Sequence, residues 1–96
     1  LDTPPSAIFA CNDDMAAATI GVAHRRGLRV PQDLSVVGFD DSPLATSVWP
    51  ELTTVHQPIA AMAEAALDLL LQRREQAEEV LPHELIVRES AGPPPA

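Results

Sequence analysis

The sequence has few aromatic residues, one cysteine and no long apolar run. With only Phe9, Phe39 and Trp49 as aromatic residues, the core must be built from aliphatic side chains and alanine. The single cysteine, Cys11, excludes a disulfide within the chain and a cysteine-rich metal cluster. No apolar run reaches the roughly 18 residues needed to span a membrane, and no signal peptide opens the chain.

Basic residues are also scarce. Six lysine and arginine residues face 14 acidic ones, so the net charge of the 96 residues is −8 at pH 7. A chain of this charge repels phosphate backbones, and we do not expect it to hold nucleic acid by itself. A single thiol is compatible with a reducing, cytosolic compartment.

Short apolar runs alternate with helical patterns along the chain. Strands are predicted at residues 7–11, 34–39, 52–56 and 84–88. Helices are predicted at residues 15–26, 43–48 and 59–76. This alternation predicts an α/β fold in which a parallel sheet carries helices on its faces. The apolar stripe of the third helix, formed by Ile59, Met62, Ala63, Ala66, Leu67 and Leu70, is expected to pack in the core.

Polar residues follow three of the predicted strands. Asn12, Asp40 and Gln57 stand there, and parallel strands end at one edge of a sheet. Ligands of open α/β folds bind outside that edge, so these side chains are expected to line one cleft. Amides and a carboxylate suit a hydroxyl-rich or purine-like ligand. Asp41 would then help to start the next helix. The alternative is that Asn12 and Asp40 only cap a helix and form a turn.

Two chemical alternatives are disfavoured. A magnesium site at Asp40 and Asp41 is awkward, because adjacent residues that leave a strand point in opposite directions. Cysteine catalysis would require a histidine beside Cys11. We expect Cys11 to be a buried apolar thiol and His56 to be a hinge residue rather than a base. No catalytic residue, metal or cofactor is therefore predicted.

Four segments together resemble the effector-binding domain of the LacI/GalR family of bacterial transcriptional regulators. They read AIFACNDDMA, RRGLRVPQDLSVVGFDDSPLA, PELTTVHQP and ELIVRES, in the family's order and spacing. The resemblance implies a periplasmic-binding-protein-like type I domain, with an effector held between two lobes. Asn12 and Asp40 match effector contacts of the family, and Gln57 lies at the hinge or the pocket lining.

The resemblance also implies a function and partners. Such a protein is a cytoplasmic, dimeric repressor and not an enzyme. It binds a sugar, sugar phosphate, nucleoside or purine, and it binds operator DNA through an N-terminal helix-turn-helix that this chain lacks. The helix from Asp14 and residues 43–49 resemble dimer contacts. The alternative is a periplasmic sugar-binding protein of a transport system.

The resemblance also implies a C-terminal fragment divided by the family's topology, since a complete domain of this kind is two or three times as long. Residues 1–57 are expected to form part of the C-terminal lobe, and residues 58–90 part of the chain returning to the other lobe. Residues 91–96, with Gly92 and three prolines, are expected to form a disordered tail. Incomplete lobes leave apolar faces and sheet edges uncovered, so we expect the fragment to associate with itself.

Overall fold

The computed structural model describes residues 4–71 and 81–95, and its elements follow the predicted order. The strands are β1 (Ala7–Phe9), β2 (Ser35–Val37), β3 (Thr54–His56) and β4 (Glu84–Ile86). The helices are α1 (Asp13–Arg25), α2 (Ile59–Leu70) and a 3-10 helix at Pro43–Thr46. Each strand is shorter than predicted, because the flanking residues lie outside the continuous ladder; Thr53, for example, makes only an isolated bridge to Val37. The predicted extension of the third helix to residue 76 lies outside the described residues.

Three strands run parallel, which confirms the predicted α/β fold with a parallel sheet. β1 pairs with β2 in the register Ala7↔Ser35. Parallel bridges at Val37↔Thr53 and Asp40↔His56 then join the chain around β2 to the chain around β3. The carboxyl ends of β1, β2 and β3 consequently face the same edge.

The fourth strand departs from the parallel arrangement. β4 pairs antiparallel with β3, in the register Val55↔Leu85. A parallel return would need α2 to cross over a face of the sheet, whereas Ala65 is the only residue of α2 that is buried. The inference that all four strands are parallel is therefore wrong for β4.

The chain beyond β4 joins the sheet. Ser90 is fully buried, and its backbone oxygen accepts from the N–H of Val36 at 2.9 Å. Its hydroxyl accepts from the N–H of Thr53 at 2.8 Å. The N–H of Gly92 donates to the hydroxyl of Ser35 at 3.0 Å. Gly92 thus makes a specific contact within the segment for which the sequence predicts disorder.

The core lies between α1 and the parallel strands and is aliphatic and alanine-rich, as predicted. It consists of Ala10, Ala16, Ile20, Ala23, Val30, Leu34, Val36, Ala45 and Leu52. Helix α1 turns Ala16, Ile20 and Ala23 toward the sheet, a spacing of three and four residues that lines one helix face. Alanine at two of these positions lets the helix approach closely. This packing holds the start of α1 beside the strand ends.

Helix α2 exposes the apolar stripe that the sequence assigned to a core. Ile59 is 62% exposed and Leu70 is 77% exposed. Burial requires a second packed layer, and the described residues do not cover this face. The prediction of core packing is therefore wrong for the chain by itself. No described helix is both long enough and apolar enough to cross a membrane.

Candidate ligand-binding site

The structure brings two of the three predicted site residues together. Asp40 follows β2 and Gln57 follows β3, and the side-chain Nε2 of Gln57 donates to Oδ1 of Asp40. The N–H of Asp40 also donates to the oxygen of Val55 at 2.9 Å, which fixes the two strand ends side by side. Both residues line a cavity of about 430 Å³, together with Asp41, His56 and residues 58–61.

Asn12 lies at the same edge of the sheet, where it caps helix α1. Its Oδ1 accepts from the N–H of Met15 at 2.8 Å, so it is the N-cap of α1. Asn12 is not among the residues that line the cavity of Asp40 and Gln57. The capping role that the sequence left open is thus present, and the Nδ2 group still offers two donors to a ligand.

The turn after β2 holds two non-glycine residues in the left-handed region. φ is 122° at Asp40 and 57° at Asp41. Such backbone costs about 1–3 kcal/mol per residue and persists only where neighbouring contacts impose it. Here the turn directs the Asp40 side chain to Gln57 and the Asp41 side chain to Arg88 and His56.

Asp41 does not help to start the next helix, contrary to the prediction. The N-cap of the 3-10 helix is Ser42. Asp41 instead forms an ion pair with Arg88, with Nη2 at 2.8 Å from Oδ1. Its Oδ2 lies 3.0 Å from Nδ1 of His56. His56 lies at the end of β3 and Arg88 lies two residues after β4, and the sequence does not encode locally that these two strands pair.

The Asp41 carboxyl is mostly buried, with 16% of its side chain exposed. Burial works against the charged form, but the hydrogen bonds and charges of Arg88 and His56 outweigh it. The pKa of Asp41 therefore lies below its ordinary value. A carboxylate at this turn stays ionised across the neutral range.

Sequence reasoning missed Asp13, which is 1% exposed. Its carboxylate accepts from the backbone and the hydroxyl of Ser42 and from the hydroxyl of Thr54. The sequence showed an acidic residue at a helix start, where a carboxylate is favourable and usually exposed. No local signal distinguishes Asp13 from Asp14, which is exposed.

Cys11 is exposed, so the prediction of a buried thiol is wrong for the described structure. It lines a second cavity of about 520 Å³ with Phe9, Ala10 and Phe39. Strand β1 ends at Phe9, which leaves Cys11 in the turn before α1 instead of inside the sheet. Within residues 4–71 and 81–95, no three histidine, cysteine or acidic side chains are grouped as a metal site.

Comparisons with known proteins agree with this architecture. Residues 1–91 match the family of periplasmic binding protein-like domains. The chain is 46% identical over 94 residues to the HTH-type transcriptional regulator DegA of Bacillus subtilis, covering 93% of this chain and 28% of DegA.

Two solved structures show the same fold at substantial identity. A LacI family transcriptional regulator from Lactobacillus casei with bound sucrose has a TM-score of 0.75 at 39% identity, covering 91% of this chain and 34% of that one. The lac repressor dimer bound to operator and the anti-inducer ONPF has a TM-score of 0.84 at 33% identity, covering 91% and 32%.

The chain spans about a third or less of the length of these relatives. The similarity nevertheless runs through almost the whole chain, and it confirms the resemblance drawn from the four sequence segments. The chain therefore belongs to the family of periplasmic binding protein-like domains and is similar in sequence and fold to parts of LacI-type transcriptional regulators.

Proposed function

We propose that the chain is part of the effector-binding domain of a LacI/GalR-type repressor and that it senses a small sugar-like or purine-like ligand. The contact between Gln57 and Asp40 carries the proposal, because it joins an amide and a carboxylate from two parallel strand ends beside a cavity. Ligands of α/β folds occupy that position.

The chemistry of the two residues suits a hydroxyl-rich or heterocyclic ligand. A carboxylate accepts hydrogen bonds only, and an amide both donates and accepts. Hydrogen bonds from ligand hydroxyl or ring N–H groups to the charged oxygens of Asp40 are stronger than neutral ones. Asn12 adds donors from the end of β1. Asn12, Asp40 and Gln57 are thus the proposed effector contacts.

The proposed mechanism couples the ligand to a movement of two lobes. The exposed apolar face of α2, directly after Gln57, supports the division into residues 1–57 and residues 58–90, although β4 pairs with β3 and Ser90 contacts β2. An effector shifts the equilibrium only through its different affinity for the two lobe arrangements. The shift alters operator binding, and operator DNA changes effector affinity by the same factor.

The partners of the complete protein are part of this proposal. We place operator DNA at a helix-turn-helix outside this chain, and a second subunit at α1 and residues 43–49. The matched relatives are transcriptional regulators, which favours a cytoplasmic sensor without catalytic activity. The periplasmic transport alternative is not favoured, because these relatives act on DNA rather than in transport.

The test uses the complete gene product that carries this sequence, in a thermal-shift series with sucrose, glucose, glucose 6-phosphate, adenosine and guanine. A ligand that binds the folded state raises the melting temperature. We expect at least one compound to do so, and Asp40→Asn to reduce its affinity about tenfold or more, the size expected for a lost charged hydrogen bond. Asparagine has nearly the same size and shape as aspartate, so the variant removes the charge without creating a cavity.

Asp33→Asn is the matched control for the Asp40 variant. Asp33 is paired with Arg29 on the surface, away from the cavity, and its replacement removes the same charge. Loss of binding in the Asp40 variant alone supports an effector site. Equal affinity in the two variants would refute the role of Asp40, and a series without any shift would count against the proposed ligand classes.

A further inference from the structure

A buried carboxylate connects the three segments on which the candidate site stands. Oδ2 of Asp13 accepts from the N–H of Ser42 at 2.7 Å and from its hydroxyl at 3.0 Å. Oδ1 accepts from the hydroxyl of Thr54 at 2.6 Å. These contacts join the start of α1, the turn after β2 and strand β3.

The partners of Asp13 are close in sequence to the site residues. Asp13 follows Asn12 directly, Ser42 comes two residues after Asp40, and Thr54 comes three residues before Gln57. Each hydrogen bond of the carboxylate therefore restrains a segment that carries one proposed effector contact. Asp13 itself does not line the cavity of Asp40 and Gln57.

The same network restrains the left-handed backbone of the turn. The Thr54 hydroxyl donates to Asp13, and its oxygen accepts from the N–H of Asp41 at 3.4 Å. The residue after Asp40 and Asp41 is Ser42, and its N–H donates to Asp13. The turn is therefore restrained at Asp41 by Thr54 and at Ser42 by Asp13. Residues with positive φ need such surroundings to persist.

The packing around Asp13 leaves room for its carboxylate by means of a glycine. A Cβ atom at Gly38 would lie closer than 3.0 Å to Oδ1 of Asp13, and 2.9 Å from Cδ2 of Leu52. Gly38 is the residue between β2 and the turn, so a side chain there would displace the carboxylate. The absence of that side chain is a second, independent feature that places Asp13 at this junction.

From these observations we propose that Asp13 is a positioning residue for effector binding. It orients Asn12, Asp40 and Gln57 relative to one another through Ser42 and Thr54, without contacting the ligand. This inference rests on the proposed function. A carboxylate suits this position because it accepts from all three partners, whereas an asparagine whose oxygen faces Ser42 would lose the hydrogen bond that Thr54 donates.

The experiment compares Asp13→Asn with Asp14→Asn in the complete gene product. Both variants remove one negative charge from the first turn of α1, but Asp14 is exposed. Affinity is measured by calorimetry for the compound of the series above that shifts the wild type most, at a temperature where every variant is folded. We expect Asp13→Asn to weaken binding about tenfold or more, as for other outer contacts that orient ligating groups, and Asp14→Asn to leave it unchanged.

A second pair of variants keeps the test decisive if Asp13→Asn does not fold. Thr54→Ser retains the hydroxyl that donates to Asp13, and Thr54→Val removes it at nearly the same volume. We expect the serine variant to bind like the wild type and the valine variant to bind weakly. If Asp13→Asn or Thr54→Val lowers the melting temperature but binds with wild-type affinity, Asp13 only stabilises the fold and the inference is overturned.

A ligand-free measurement separates this inference from the proposed function. The side-chain NH₂ resonances of Gln57, which report its contact with Asp40, are recorded by NMR. We expect them to move in Asp13→Asn and to stay in place in Asp14→Asn, even if no compound of the series binds. Unchanged Gln57 resonances in Asp13→Asn would overturn the positioning role while leaving the proposed effector site intact.

Discussion

Replacement of Gly38 by alanine tests how tightly the strand ends are packed. The added Cβ would lie 2.9 Å from Cδ2 of Leu52 and closer still to Oδ1 of Asp13. Asp13 is 1% exposed and Leu52 is 0% exposed, so neither side chain has free space into which it can move. The substitution must therefore shift the backbone or displace the carboxylate.

The expected loss of stability follows from overpacking of the core and from displacement of the Asp13 carboxylate. Overpacking of a core costs about 1–3 kcal/mol. Displacement of Oδ1 also weakens the hydrogen bond from Thr54, and a bond to a charged group contributes about 1.5–3 kcal/mol. We expect Gly38→Ala to lower the free energy of unfolding by about 3 kcal/mol or more.

Gly21→Ala is the matched control, because it adds the same methyl group to the interior of α1. Its Cβ would have Nη1 of Arg25 as nearest neighbour, at 3.8 Å, which is an ordinary contact. Alanine is about 1 kcal/mol more favourable than glycine inside a helix. The two substitutions should therefore change stability in opposite directions.

Urea denaturation followed by circular dichroism measures both variants. With a slope of about 1–3 kcal/mol per molar urea, a loss of about 3 kcal/mol moves the midpoint down by about 1–3 M. A Gly38→Ala midpoint equal to or above that of the wild type would refute the steric argument. It would also remove the support that Gly38 gives to the position of Asp13.

Three further predictions concern the turn, the helix cap and the exposed helix. Because the folded-state pKa of Asp41 is lowered, its pairing with Arg88 stabilises the fold above the ordinary carboxyl pKa of about 3.9 and is lost as the pH falls through the folded-state value. As the pH falls, the free energy of unfolding should decrease less in Arg88→Gln than in the wild type. An equal decrease in the two proteins contradicts the pairing. Asn12→Ser should keep the cap of α1 but weaken effector binding, whereas Asn12→Ala should also cost about 1 kcal/mol of stability; wild-type affinity in the serine variant would make Asn12 a cap only. Since Leu67 and Leu70 are exposed on α2, the 96-residue chain produced alone should associate with itself, and a monodisperse monomer by light scattering would contradict this.

Much of the local structure could be predicted from neighbouring residues. The order of the elements follows from apolar runs, caps and breakers that act within a few positions. The start of α1 is an example, since Asn12 caps the helix through the N–H of Met15, three residues away. The end of α1 is another, because Gly27 adopts a positive φ of 77° directly after the last turn.

The candidate site was predictable only in part. The positions of Asp40 and Gln57 at parallel strand ends follow from the alternation of elements, and the structure joins their side chains. The contacts of Asp13 and Asp41 could not be predicted from the sequence. Asp13 contacts Thr54 at a separation of 41 residues, and Asp41 pairs with Arg88, which follows β4.

The sequence by itself determined the secondary structure, the aliphatic core and the membership of a family, because each depends on local pattern or on segments read in order. Tertiary structure alone decided that β4 runs antiparallel to β3, that Asp13 is buried while Asp14 is exposed, and that α2 presents its apolar face to solvent. These features depend on which distant segments meet. Whether a side chain is buried, or hydrogen-bonded to a distant segment, depends on how the layers pack, and no local pattern of residues specifies it.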